Sequence, residues 1–198
     1  MKRIIKKAIK VLLYILITFI FVHCCVYRRI THMNKEELGW GTNRHEGEMM
    51  YFESEEGIKD TIEICFINIS NSLNPFYFSY FNTGARSLIA GVGIHYRFMR
   101  TTACEGSFHA TKLFNDEPLY ISHGLLGRWA EDIPLKLIKF KINNIVLEDV
   151  LFFDEKNTKQ GKYRPDRPIK SYAWSKKYGP VQYTYQDGET FTRTDIGN

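Results

Sequence analysis

Leu137-Ile-Lys-Phe-Lys-Ile-Asn-Asn-Ile-Val-Leu-Glu-Asp-Val-Leu-Phe-Phe153 is the stretch that decides the fold class. From Ile138 to Ile142 apolar and charged residues largely alternate, two asparagines follow, and a run rich in branched and aromatic residues extends from Ile145 to Phe153. A period of two puts successive side chains on opposite faces of a strand. Asparagine tolerates the positive φ that a two-residue hairpin turn needs, so Asn143-Asn144 reads as the turn of an antiparallel pair.

The same grammar continues on both sides of this hairpin. Toward the C-terminus, Asp154 to Pro168 reads as a polar loop, and Ser171–Lys177, Val181–Tyr185 and Thr190–Arg193 read as strands joined at Gly179-Pro180 and Asp187-Gly188. Toward the N-terminus, Leu119–Trp129, Ser107–Phe114 and Leu88–Met99 are three runs separated by turn-like segments, preceded by Asp60–Ile69 and Glu48–Glu53. Ser70 to Gly84 is a long connection whose Phe76, Tyr77, Phe78, Tyr80 and Phe81 either line a short strand or cap the core. After Arg29 no amphipathic helix of ten or more residues is evident. The expectation is an all-β domain over residues 47–198, a single antiparallel meander of eight to ten strands curled into a barrel or folded as a sandwich. A polar linker over residues 30–46 precedes it.

Residues 1–29 have a different character. Five bases in the first ten residues precede the apolar run Val11 to Val22, which continues uncharged through His23, Cys24, Cys25, Val26 and Tyr27. A basic n-region followed by an apolar h-region directs a chain to a membrane, and residues 8–27, with Lys10 snorkelling, have the length to span one. Three fates fit. A signal anchor needs only this length and charge bias. A lipoprotein signal would place Cys24 or Cys25 at the lipidation position, although Phe21-Val22-His23 departs from the usual Leu, small, small pattern. Cleavage and release would want small residues near the cut, which are missing. The body would then lie on the extracytoplasmic side, periplasmic or at the cell surface.

The charge distribution follows from the same segment. The chain of 198 residues carries a net +5, but residues 1–29 hold seven bases and no acid, leaving 20 bases against 22 acids in the remainder. A slightly acidic body with mixed signs lacks the clustered Lys and Arg that neutralise phosphates, which argues against a nucleic-acid partner.

The closing stretch, Tyr172-Ala-Trp-Ser-Lys-Lys-Tyr-Gly-Pro-Val-Gln-Tyr-Thr-Tyr-Gln-Asp-Gly-Glu-Thr-Phe-Thr-Arg193, resembles the end of many small, uncharacterised bacterial envelope lipoproteins. Glu148-Asp149-Val150 and Glu53-Ser-Glu-Glu-Gly-Ile-Lys-Asp-Thr-Ile62 are similar to the same proteins. The resemblance rests on hairpin motifs, implies a membrane-anchored β domain in the envelope, and brings no catalytic residues.

Candidate chemistry is sparse. His95, His109 and His123 recur every 14 residues on successive expected strands, and three histidines sharing one face could hold zinc with an open fourth position. Alternation argues otherwise: His95 opposes Ile94 and Tyr96, His109 opposes Phe108 and Ala110, whereas His123 shares its face with Ile121 and Leu125 and points into the core. Cys65 and Cys104 are the only cysteines of the body. An extracytoplasmic site permits a disulfide, but two reduced thiols are the first expectation, since nothing in the sequence brings them together. The acid pairs Glu55-Glu56, Asp116-Glu117, Glu131-Asp132 and Glu148-Asp149 lie in or beside turns, where solvation accounts for them. No phosphate-binding loop, nucleophile elbow or His-Glu-x-x-His occurs. The sequence therefore points to a non-enzymatic envelope protein without a cofactor, partnered by the membrane and by another envelope protein or an apolar ligand. A zinc-dependent hydrolase built on His95, His109 and His123 is the alternative.

Overall fold

A computed structural model describes residues 2–26, 31–71, 89–99, 106–161 and 166–197, with the side chains of the first helix described from Ile5 to Phe21. Among the described residues two helices, α1 (Lys2–Val26) and α2 (Lys35–Thr42), precede twelve strands: β1 (Met49–Ser54), β2 (Lys59–Ser70), β3 (Ala90–Phe98), β4 (Gly106–Lys112), β5 (Tyr120–Leu125), β6 (Arg128–Pro134), β7 (Ile138–Ile142), β8 (Ile145–Phe153), β9 (Lys159–Gln160), β10 (Ile169–Ser175), β11 (Gly179–Tyr185) and β12 (Thr190–Arg193). All twelve join one antiparallel sheet in the order β7-β8-β10-β11-β12-β1-β2-β3-β4-β5-β6-β9. The fold is all-β, a meander whose last strand returns to pair with its first, Phe52 opposite Arg193 and Ser54 opposite Phe191.

Aromatic packing shows that the sheet curls. Trp174 on β10 and Phe108 on β4 are six strands apart, about 29 Å in a flat sheet at the usual strand spacing. Their rings nevertheless stack with centroids 4.6 Å apart. His123 on β5 likewise lies 4.3 Å from Tyr172 on β10 and 5.0 Å from Phe153 on β8. One sheet thus folds onto itself as a half-barrel around an aromatic core. The sandwich alternative is excluded, and the twelve strands exceed the eight to ten expected. A smaller apolar cluster of Ile142, Leu147, Val150, Ala173, Val181 and Ile196 fills the other side of the β8-β10-β11 region.

The Asn-Asn hairpin forms as read: Ile142 pairs with Ile145, and Asn143 takes the left-handed conformation at φ 50°. The run Leu119–Trp129 does not form one strand. It turns at Leu126 (φ 42°) and Gly127 (φ 81°), making β5 and β6 a hairpin with Leu125 opposite Arg128. The polar loop after β8 also contributes β9, which crosses to pair with Arg128 and Trp129 of β6.

Residues 31–46, expected as a polar linker, are packed instead. Asn34 caps α2 by accepting from the Glu37 amide, and Glu37 Oε2 accepts from the Asn34 amide, both at 2.8 Å. This reciprocal pair satisfies two amides that a helix start leaves without partners. Trp40 and Met33 are buried in the main core, with Trp40 stacked 5.2 Å from Phe108. A Cβ on Gly41 would come within 2.5 Å of Val92 Cγ1, so glycine lets α2 lie directly on β3.

α1 is different again. Every described side chain from Ile5 to Phe21 is exposed. Among the described residues, no helix is long and apolar enough to cross a membrane.

Candidate functional site

β3, β4 and β5 carry the three histidines, and the register decides which of them meet. Gly93 lies opposite His109, and Phe108 lies opposite His123. His95 and His109 project to the outer face, with ring centroids 5.4 Å apart and nearly perpendicular planes. Phe66 stacks on His95 at 4.2 Å. Gly93 leaves room for the His109 ring, since a Cβ there would lie 3.0 Å from Nδ1. With Asn68 and Thr111 these residues line an open groove of about 200 Å³. Burial lowers the pKa of both imidazoles, and for His109 the neighbouring His95 adds to the effect.

His123 lies on the opposite, inner face and is 2% exposed. The zinc site that needs all three imidazoles is therefore not assembled, because the strand alternation that buries Ile121 and Leu125 also turns His123 inward. Among the described residues no group of three or more His, Cys, Asp or Glu side chains gathers to hold a metal.

The inner face makes its own polar network. The His123 Nε2 to Tyr96 Oη distance is 2.9 Å, and Tyr96 Oη lies 3.3 Å from the Gly124 carbonyl. A tyrosine hydroxyl has one proton, so both contacts are satisfied when His123 Nε2–H donates to Tyr96 and Tyr96 donates to the carbonyl. This assigns the neutral Nε2–H tautomer and leaves Nδ1, a buried atom without a partner, as a bare acceptor. Burial holds the His123 pKa well below the ordinary imidazole range and those of Tyr96 and Tyr172 well above the ordinary phenol range. An imidazole stacked with Tyr172 and Phe153 and edge-on to Trp174 has no access to solvent and serves the core.

The motif residues of the closing stretch are structural. Ser175, fully buried, donates to Asp149 at 2.9 Å and accepts from the Lys177 and Tyr178 amides, both at 3.1 Å. Asp149 thereby ties the β7–β8 hairpin to the turn before β11. Arg193, 4% exposed, pairs with Asp195 through two contacts of 2.7 and 2.9 Å and donates to the Tyr178 carbonyl. Arg44 donates to that same carbonyl at 2.8 Å and to Glu48 at 2.6 Å.

The half-barrel leaves a seam between β6 and β8. There Ile133, Pro134, Ile138, Leu151, Phe152 and Phe153, with Lys136 and Asn157 at the edge, line a cleft of about 340 Å³. That volume falls within the range of small-molecule sites, and the lining is mostly apolar. Alternation identified these side chains as core or surface but did not show that the sheet stops short of closing.

Cys65 is disulfide-bonded, which corrects the expectation of reduced thiols. It sits at a bulge in β2, where the register shifts between the pairs Ile64–Tyr96 and Phe66–His95. Cys104, and the side chains of the lipidation candidates Cys24 and Cys25, lie outside the described residues, as do Phe76, Tyr77, Phe78, Tyr80 and Phe81. Comparison with family models, curated proteins and solved structures finds no match.

Proposed function

We propose that this chain is a non-enzymatic component of the cell envelope, held at a membrane by its N-terminal segment, with the β domain on the extracytoplasmic side and an apolar ligand or partner segment taken up at the seam between β6 and β8. The observation that carries the reading is the state of α1. Leu12, Leu13, Tyr14 and Ile15 are 67%, 55%, 71% and 61% exposed. Four consecutive helical residues point to all sides of the axis, so no rotation of α1 could hide its apolar surface against the domain. A contiguous apolar surface of this extent marks a contact with lipid or protein. The described stretch, Ile5–Phe21, is by itself not long and apolar enough to cross a membrane, and the proposed membrane segment, residues 8–27, extends beyond it.

Two further features support the compartment. The five bases at the start of the chain favour retention of the N-terminus on the cytoplasmic side. A disulfide at Cys65 persists in oxidising compartments and is rare in the cytosol. Cys24 and Cys25 keep a lipoprotein fate in play beside the uncleaved anchor. The intact mass of detergent-extracted protein separates them: the full chain without added mass means the anchor, and a shortened chain with a diacylglyceryl increment means lipidation. The side of the membrane is tested with an impermeant amine reagent on sealed, right-side-out vesicles. Lys139, 75% exposed at the side chain, is expected to label without lysis, and labelling only after lysis would sink the extracytoplasmic assignment.

A further inference from the structure

The proposed anchor and the β domain are joined by very little chain, and the attachment point is fixed. α1 ends at Val26, and the body is already locked at Thr31. Thr31 Oγ1 donates to the Leu113 carbonyl at 2.9 Å, and the His32 amide donates to Asn115 Oδ1 at 2.8 Å. Asn71 clamps Met33 from the other side: its Oδ1 accepts from the Met33 amide at 2.8 Å, and its Nδ2 donates to the Met33 carbonyl at 3.0 Å. Thr31 and Met33 are 4% and 3% exposed. Residues 27–30 can span no more than about 18 Å from Val26 to Thr31 even when fully extended.

The end of the sheet beside Thr31 is where β2 finishes, β3 starts and β4 finishes, since Ala90 pairs with Lys112 and Gly91 with both Ser70 and Thr111. This rim exposes large apolar side chains: Phe114 is 59%, Ile69 42% and Leu113 36% exposed. Phe114 immediately follows the residue that holds Thr31. Tyr120, opposite Thr111, adds a residue type that favours the membrane–water boundary.

We infer that this rim, centred on Leu113 and Phe114, is a second membrane contact that rests in the phospholipid headgroup layer and fixes the orientation of the half-barrel on the bilayer. The inference rests on the membrane anchoring proposed above. The polar layer on each side of a bilayer's hydrocarbon core is only about 5–8 Å deep. A tether of four residues from the end of α1, or of five or six from a lipid on Cys25 or Cys24, fixed to the Phe114 loop keeps that loop near the layer. The opposite end of β2, where the Ile58 turn lies, is about 40 Å away along the strand. The β6–β8 cleft contains Pro134, at the rim-side end of β6 where it pairs with Tyr120, and Lys136 just beyond it. Docking by the rim therefore turns one end of the cleft toward the lipid surface.

The test compares two variants of the full chain, Phe114→Trp and Ile58→Trp, in vesicles of phosphatidylcholine with and without a fluorescence-quenching nitroxide on the lipid headgroup, after subtracting the fluorescence of the wild-type tryptophans. Flotation with the vesicles reports on the anchor separately. The expected result is flotation of both variants, with Phe114→Trp quenched about twofold or more and Ile58→Trp unaffected, since a headgroup quencher acts only at short range and the two ends of β2 are about 40 Å apart. Flotation with equal or absent quenching of the two overturns the rim contact and leaves the anchor standing. Failure to float overturns both.

Discussion

Burial gives His123 a measurable effect on stability. Its imidazole has no charged partner and sits among Tyr172, Phe153 and Trp174. Unfolded, it takes up a proton near the ordinary imidazole value of about 6.5; folded, burial lowers the pKa well below that. The stability it contributes is therefore complete above about pH 6.5 and is lost as pH falls, at up to about 1.4 kcal/mol per pH unit until the folded group itself titrates. His95 and His109 shift in the same direction, so the variant His123→Phe isolates the buried group. Urea unfolding between pH 7 and pH 5 is expected to show a flatter dependence in His123→Phe than in the wild type, and an unchanged slope would contradict the assignment. Arg193 offers a second residue-scale check. Removing this buried cation leaves Asp195 without its partner, so Arg193→Ala is expected to cost about 3–5 kcal/mol in urea unfolding. The facing of the three histidines was legible because strand alternation is local. The bare Nδ1 of His123 was not, since it depends on Tyr96 and Gly124 from two strands.

At the scale of elements, α2 shows what local reading omits. Its eight residues include Gly39 and Gly41, poor helix formers that cost about 1 kcal/mol each relative to alanine. The start signal, Asn34 with Glu37 three residues later, was present in the sequence, but what stabilises the helix is Trp40 packed on Phe108. Trp40→Ala is accordingly expected to destabilise the whole domain by about 3–5 kcal/mol. A loss below about 1 kcal/mol, read from thermal or urea unfolding, would mean that residues 31–46 are a linker after all. The β5–β6 hairpin was hidden for a related reason. Leu126 occupies a left-handed position without being a turn residue and is only 7% exposed, so its packing compensates for an unfavourable backbone. The Asn143-Asn144 hairpin was legible because its turn residues and flanking alternation agree. Asn143→Ala is expected to cost about 1–2 kcal/mol, through the positive φ and the lost contact of its Nδ2 with the Arg193 carbonyl. No measurable loss in urea unfolding would show that the turn does not depend on it.

For the molecule as a whole, the all-β class and the meander followed from alternating runs and turn residues. The curl, the return of β12 to β1 and the crossing of β9 to β6 are contacts between distant parts of the chain that no local pattern encodes. The seam cleft is a product of that incomplete curl and was illegible for the same reason. Function is read from the contrast between a domain with a well-buried aromatic core and a helix that buries none of its described side chains. Alkaline carbonate extraction of cell membranes carrying the full chain, compared with residues 31–198 alone, tests that contrast most directly. The full chain is expected to stay in the membrane pellet while residues 31–198 move to the soluble fraction. Release of the full chain by carbonate would contradict the account.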